Sequence, residues 1–582
     1  MATTSHTNSV ALDSVSTPQR PLITTRGIVS LVVALALVAF SWRFAEVRPV
    51  VLLRPATAAA IWNFVSRLFP PDLSPEFLRS VLRAVAQTIA IAIAGTALSL
   101  TVALPLGVLA TGTLWNRGVL VAIDDRLAYR VGWIASRMAR IILGFLRAVP
   151  DLLWALLFVA AVGLGSLAGT LALALAYSGV LGRVYADVFE HVDPQPLEAL
   201  QSTGATRMQI FLRGIWPQAL PHLMAYSLYS FECCVRAAAV LGFVGAGGIG
   251  YEINVSMRMF EYGQVLTLLL VFIILLIVTD AASRYLRARF IHGDGPRNVK
   301  EQRTWSALHP LTSKSRRFVV WALVLLMVVG SFAVAGFTPQ TLTQAGIVAR
   351  IAGFVRRMLP PDFTWAFVGS LGTALLQTIA ISFMGTIIGI VLAVALAVPA
   401  TSSLTFVRTD SPGKHGLADR ALRSLLYWSA RLVLNILRSI PELVWVLICI
   451  LAVGIGPFAG TIALGLHTAG VLGKLYAETM EEVPLRPVEA LRSLGASRLQ
   501  VLLWAIWPQA RPLLSSYTVL RWETNLRAAT ILGLVGGGGL GQAIYNNVQL
   551  GFYSRLSTLI LVIYALVLAS DWMGERLRLH VA

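Results

Sequence analysis

Val192–Pro221 reads VDPQPLEALQSTGATRMQIFLRGIWPQALP and Val483–Pro512 reads VPLRPVEALRSLGASRLQVLLWAIWPQARP, with 17 of 30 positions identical at an offset of 291 residues. Self-similarity of this kind at a fixed spacing marks a chain built from two copies of one unit. The same offset aligns Leu146–Trp154 (LRAVPDLLW) with Leu437–Trp445 (LRSIPELVW), and Phe231–Gly250 with Trp522–Gly541. An offset of 290 aligns Pro70-Pro71-Asp72 with Pro360-Pro361-Asp362 and Gln87-Thr88-Ile89-Ala90 with Gln377-Thr378-Ile379-Ala380, so one extra residue falls in the loop near 401–420.

The composition says what solvent the two copies use. Of 582 residues 57% are hydrophobic and only 13% charged, and the mean hydropathy is +0.74, too few charges to cover a soluble surface. Uncharged runs such as Ile89–Leu114 and Val265–Thr279 point to lipid. Six apolar segments lie in each half, near 28–42, 84–111, 134–163, 166–188, 222–247 and 264–283, then near 318–336, 372–399, 428–454, 459–477, 513–538 and 555–572. An even number per half gives both halves the same orientation. The sequence thus predicts an all-α polytopic membrane protein of about 12 transmembrane helices in two parallel six-helix repeats. Its expected division is a disordered cytoplasmic tail over 1–26, a first repeat over 27–288, a basic cytoplasmic linker over 289–316 and a second repeat over 317–582.

The net charge of +19 is scattered among apolar segments and forms no nucleic-acid patch. Arg284, Arg287, Arg289, Arg297, Lys300, Arg303, Lys314, Arg316 and Arg317 crowd the joint between the halves, which the positive-inside rule makes cytoplasmic, together with both termini. Ile28–Trp42 has no small-residue cleavage site, so an uncleaved first span is expected. The repeated segment at 192–221 then faces the cytoplasm. Segments 43–83 and 337–371 fall outside, with Pro-Pro-Asp turns and amphipathic interfacial pieces. Cys233, Cys234 and Cys449 form neither a disulfide framework nor a metal-ligand spacing.

Charged residues inside spans cost about 2.5–3.5 kcal/mol each on insertion scales and need a partner or a purpose. Arg147 and Asp151 are matched by Arg438 and Glu442, and Glu232 and Arg236 by Glu523 and Arg527. The spacing of four predicts each acid and base on one helical face. These eight residues either pair to neutralise one another or line a polar path or gate, where Arg guanidinium groups offer bidentate hydrogen bonds to an oxyanion. The glycines of Leu241–Gly250 and Leu532–Gly541 follow no strand, so a nucleotide fingerprint is a poor reading; helix termination with close approach, or a flexible gate, fits better. Gly413-Lys414-His415 and Gly473-Lys474-Leu475 lack the rest of a phosphate-binding loop, and no nucleophile, His cluster or metal-ligand set appears. The chain is therefore read as a non-enzyme with no cofactor of its own.

The repeated segment reads as helix, glycine break, helix: Pro196 opens it, Gly204 breaks it and Trp216-Pro217 closes it. Glu198-Ala199 with Gly204 and Ile215-Trp216-Pro217, and Glu489-Ala490 with Gly495 and Ile506-Trp507-Pro508, resemble the EAA motif of the permease subunits of bacterial ABC importers. The common form has Ala where this chain has Leu200 and Leu491, and Ile where it has Gly214 and Ala505. The charged motifs at 147–154, 232–250 and their counterparts resemble the phosphonate-type branch, so two permease units look fused. The resemblance implies a type I importer-like permease in the bacterial cell membrane that takes up phosphonate or a related oxyanion, phosphate or phosphite. It also implies coupling positions at Glu198, Ala199, Gly204, Glu489, Ala490 and Gly495. The partners it implies are two cytoplasmic ABC ATPases carrying ATP and Mg, and an extracytoplasmic binding protein. An ion-coupled secondary transporter of an anionic solute is the alternative, since two six-span halves with membrane carboxylates suit that class too.

Overall fold

The computed structural model describes residues 25–115, 126–291, 314–337, 346–405 and 417–581. The expected tail up to residue 24 and the linker over 292–313 lie outside them. Regular structure among the described residues is helical throughout. The first repeat has ten helices of eight residues or more: α1 (Thr25–Phe44), α2 (Pro55–Leu68), α3 (Pro75–Ala110), α4 (Arg126–Ala148), α5 (Asp151–Val162), α6 (Ser166–Glu190), α7 (Gln195–Ser202), α8 (Trp216–Leu241), α9 (Ile249–Arg258) and α10 (Tyr262–Ile291). The second repeats the list: α11 (Lys314–Val334), α12 (Ile347–Met358), α13 (Trp365–Ala400), α14 (Leu417–Ser439), α15 (Glu442–Val453), α16 (Pro457–Glu481), α17 (Leu485–Ser493), α18 (Trp507–Leu532), α19 (Gly539–Gln549) and α20 (Tyr553–Val581). Each helix of the first repeat has its counterpart ten numbers later.

Among the described residues seven helices are long and apolar enough to cross a membrane, or up to ten when each bent pair is counted as one span. The expected third and ninth spans are not single helices. α4 meets α5 at 87° and α14 meets α15 at 99°. Pro150 and Pro441 cause the break, because proline has no N–H to donate and drives the residue before it out of the helical region. The indole Nε1 of Trp154 donates to the Leu146 carbonyl across the bend at 3.4 Å, and that of Trp445 to Leu437 at 3.2 Å. Arg147 and Asp151 therefore do not share a helical face, and neither do Arg438 and Glu442, which corrects the expectation from their spacing.

Packing rests on close approach of small residues, as expected where lipid supplies no hydrophobic drive between helices. α3 lies along α6 and α13 along α16; a Cβ on Gly95 would sit 2.8 Å from the Cβ of Leu173. One apolar core runs through both repeats, from Leu152 and Leu153 to Leu443 and Val444. The first helices are exchanged: α1 packs along α13 of the second repeat, and α11 along α3 of the first.

The Pro-Pro-Asp turns tie the short helices α2 and α12 to the last helix of their own repeats. The Asp72 N–H donates to Gly263 at 3.2 Å and Thr267 Oγ1 donates to the Asp72 carbonyl at 2.8 Å. Asp362 repeats this with Ser554 at 3.1 Å and Thr558 at 2.8 Å, and adds Arg555 on its carboxylate at 3.2 Å. The backbone N–H of Ser74 holds the Asp72 carboxyl below its ordinary range, and that of Thr364 does the same for Asp362.

Candidate functional site

The two repeated loops share one geometry. α7 and α17 are followed by Gly204 at φ +76° and Gly495 at φ +78°, the left-handed region that a residue with a Cβ avoids. Glu198, Ala199, Gly204, Glu489, Ala490 and Gly495 are all exposed. The inner faces are not: Leu197 packs with Tyr185, Phe189, Ile210 and Ile215, and Val488 with Tyr476, Met480, Val501 and Ile506. Trp216-Pro217 does not close the second helix as expected. The chain passes through a π turn, where the Trp216 N–H reaches the Phe211 carbonyl five residues back, and continues directly into α8; Trp507 does the same with Leu502. A wider turn suits the position, since Pro217 and Pro508 cannot donate a helical hydrogen bond. The departures from the common motif compensate each other here, because a Cβ on Gly214 would lie 3.2 Å from Leu200 Cδ1. The larger residue on α7 fills the space left by the smaller one.

Among the described residues Glu232 and Arg236 keep the pairing that spacing suggests, and the other six repeated charges do not. Asp571 on α20 accepts from Arg147 of the first repeat at 2.9 Å and from Arg527 on α18. Its counterpart Asp280 on α10 pairs with Arg284 on its own helix at 3.0 Å, and Arg438 has no carboxylate within 4 Å among the described residues. Glu232 does hold Arg236, at 3.6 Å, and also Arg287 at 3.4 Å. Glu523 holds Arg578. Asp571 lies 18 residues after the start of α20, about 27 Å along the helix at 1.5 Å per residue and so close to a hydrocarbon thickness of about 30 Å from the Pro-Pro-Asp end. Sequence reasoning missed Asp280, Asp571 and Arg578, and placed Arg287 only among the charges of the joint. The signal was present, for Asp280 and Arg287 recur as Asp571 and Arg578 at the same offset of 291.

Asp151 and Glu442 open α5 and α15 just past the bends, and approach across the repeats closely enough for their charges to interact. Around Glu442 the second repeat gathers polar groups that the first lacks. His467 Nε2 lies 3.5 Å from the Glu442 carboxylate and its Nδ1 3.1 Å from the Ile440 carbonyl. Arg521 Nε donates to Thr468 Oγ1 at 3.4 Å, Thr468 donates to the Asn525 amide oxygen at 3.1 Å, and Asn525 Nδ2 donates to Thr386 Oγ1 at 2.8 Å. At the matching places the first repeat has Ala176, Ser230, Tyr177, Cys234 and Thr96. Among the described residues no three His, Cys, Asp or Glu side chains are placed to hold a metal ion.

The glycine-rich segments are held turns. Gly245 at φ +94° and Gly536 at φ +99° reverse the chain between α8 and α9 and between α18 and α19. The Gln87 side chain accepts from Gly248 N at 2.9 Å and Thr88 from Ile249 N at 2.9 Å; Gln377 and Thr378 serve Gly539 at 3.3 Å and Leu540 at 2.8 Å. The Gln-Thr pairs seen in both halves thus satisfy the first backbone donors of α9 and α19.

Two segments, 117–292 and 416–581, match the family described as "Binding-protein-dependent transport system inner membrane component". The phosphate-import permease protein PhnE of Mycolicibacterium smegmatis is 33% identical over 517 residues, covering 88% of this chain and 88% of its own. The phosphite transport system permease protein PtxC of Stutzerimonas stutzeri is 37% identical over 233 residues, 40% of this chain and 77% of its own. The putative cryptic phosphonate transport system permease protein PhnE2 of Escherichia coli is 39% identical over 119 residues, 20% of this chain and 98% of its own.

Proposed function

The chain belongs to the binding-protein-dependent transport inner membrane components, and from that premise we propose that it is the permease of an ATP-driven ABC importer for phosphonate, phosphate or phosphite. Hydrolysis is carried out by separate ATPase subunits, and this multi-pass chain couples it to translocation. The single observation that carries the coupling is the pair of exposed loops around Gly204 and Gly495: same backbone, same buried side, same outward face. Lipid packing asks for the buried side only. Each loop receives one ATPase, so one chain takes two, with Glu198, Ala199, Glu489 and Ala490 as docking positions and the glycines as hinges. A binding protein delivers the anion to the outer face, near the Pro-Pro-Asp turns.

The fused halves, 27–288 and 317–582, supply both sides of the translocation unit, with 12 spans when α1 and α11 are included and with the tail, the linker 289–316 and both termini in the cytoplasm. Arg147, Asp151, Glu232, Arg236, Arg438, Glu442, Glu523 and Arg527 form the path or its gate. The oxyanion assignment rests on the named substrates of the relatives and on the arginines near the repeat interface, whose guanidinium groups suit a tetrahedral anion.

The test is uptake of labelled phosphate and methylphosphonate by proteoliposomes containing the chain, its co-encoded ATPase and its binding protein. ATP-dependent uptake that resists a protonophore is expected. Uptake abolished by the protonophore and indifferent to ATP would make the chain an ion-coupled carrier and overturn the reading of the loops.

A further inference from the structure

The polar cluster of the second repeat is an asymmetry in a molecule otherwise built in pairs. Packing does not demand it: the first repeat makes the same crossing of its sixth and eighth helices with Tyr177 and Ser230 where the second has Thr468 and Arg521. Arg521 is half-buried, spends only its Nε on Thr468, and has no carboxylate within 4 Å of its guanidinium among the described residues. Burying a cation without a matched anion is costly in a membrane protein. Arg521 is held nonetheless, by a chain of three hydrogen bonds through Thr468 and Asn525 to Thr386 on α13. Glu442 is within electrostatic reach of both Arg521 and Arg236 of the first repeat, while His467 holds it from the side. Tyr177 is within electrostatic reach of Asp151, Cys233, Cys234 and Arg236.

We infer that Arg521, fixed by Thr468 and Asn525, is a one-sided binding site for the tetrahedral oxyanion inside the permease, with Glu442 occupying the cationic neighbourhood when no anion is present. This rests on the functional reading given above. The terminal guanidinium nitrogens are the free donors, and a planar fork of this kind takes two oxygens of a phosphate or phosphonate at once. Arg236 completes the positive side from the first repeat. The uncharged corner of a phosphonate, its carbon substituent, then lies toward Tyr177 and Cys233. One charged side and one weakly polar side give the anion a single orientation in transit, which two identical repeats could not do.

The test uses the complete complex of this chain with its ATPase in nanodiscs, without binding protein. Equilibrium binding of labelled inorganic phosphate and of methylphosphonate is measured for the wild type, Arg521→Ser, Arg521→Lys and Glu442→Gln. Serine is the residue the first repeat carries at this place, so the helix crossing tolerates it. Loss of the charged hydrogen bonds in Arg521→Ser is expected to weaken both anions by about ten- to a hundredfold, Arg521→Lys to recover part of the loss, and Glu442→Gln to tighten binding. ATP-driven uptake from loaded binding protein falls in Arg521→Ser. Affinity in Arg521→Ser within twofold of wild type overturns the proposal, as does an unchanged or weakened affinity in Glu442→Gln, which stays decisive if the arginine variants do not assemble. Absence of ATP-dependent oxyanion uptake by the wild type is a different result and sinks the functional reading itself.

Discussion

Asp571 on the last helix accepts from Arg147 of the other repeat at 2.9 Å and from Arg527 beside it, whereas its counterpart Asp280 pairs with Arg284 on its own helix and lies against the Glu232 carboxyl of its own repeat. The two halves share sequence, yet one cross-repeat pair is closed and the other open. Asp571→Asn removes the anion from two guanidinium groups, one of which has a buried Nε with no partner. The expected cost is about 1–2 kcal/mol, moderated by the partial exposure of Arg147. Asp280→Asn should cost less than half as much. Thermal unfolding in detergent of the two variants beside wild type checks the order; equal losses would mean that the cross-repeat pair adds nothing.

Gly204 and Gly495 have open space where a Cβ would go, so the penalty of replacing them is backbone strain alone. Gly204→Val or Gly495→Val should cost about 1–2 kcal/mol locally and break ATPase docking at that loop. Co-purification of the ATPase with each single variant should fall by half, and with the double variant to background. Full retention by the double variant would separate the loops from docking.

Among the described residues Glu198 and Glu489 are exposed and form no ion pair within 4 Å. Alanine at either should leave stability within about 0.5 kcal/mol while lowering transport. Melting temperature and ATP-driven uptake, measured on one preparation, test this together. A destabilised protein would assign both carboxylates to folding.

Trp154→Phe and Trp445→Phe keep the aromatic volume and remove the indole donor that meets the carbonyls of Leu146 and Leu437 at the bends. Each should cost about 1 kcal/mol, and the bends themselves should persist because the prolines make them. Cysteine cross-linking between α4 and α5 reports the angle; a straightened helix would shift the cause from proline to tryptophan.

Asp362 differs from Asp72 in holding Arg555 as well as a backbone N–H. Both carboxyls sit below their ordinary range, so the stability they lend is present above the unfolded carboxyl value of about 3.9 and is lost as pH falls through the lower folded value. Asp362→Ala and wild type should therefore differ in melting temperature at pH 7 and converge as the medium is acidified past that point. A difference that stays constant with pH would leave only a packing effect.

The repeat, the helical class and the exposed loops were legible because each writes itself into short-range sequence: an offset, apolar length, a glycine between two turns. The partners of the charges were not. A spacing of four implies a shared face only along an unbroken helix, and Pro150 and Pro441 end the helix inside the motif. Arg147 then turns toward Asp571, 424 residues away, a relation no local pattern carries. Thr206 and Gln209, by contrast, form a local capping box that could have been read directly, as could Ser497 and Gln500. His467 and Arg521 escaped notice for the opposite reason: attention to what the halves share passes over what only one of them has.

The exchanged first helices set a timetable for biosynthesis. α1 leaves the ribosome well before the helix it rests on, α13, which begins 321 residues after α1 ends. At about 5–20 residues per second that is a wait of roughly 16–64 s, during which Val38, Phe40, Ser41 and Phe44, covered or partly covered in the finished fold, have only lipid or insertion machinery beside them. α11, arriving later, finds α3 already in place. The first half of the chain therefore stays unfinished until the second half is in the membrane, and a ribosome that stalls between them leaves a fragment with one loose helix and one uncovered face, the kind of species that membrane quality-control proteases recognise.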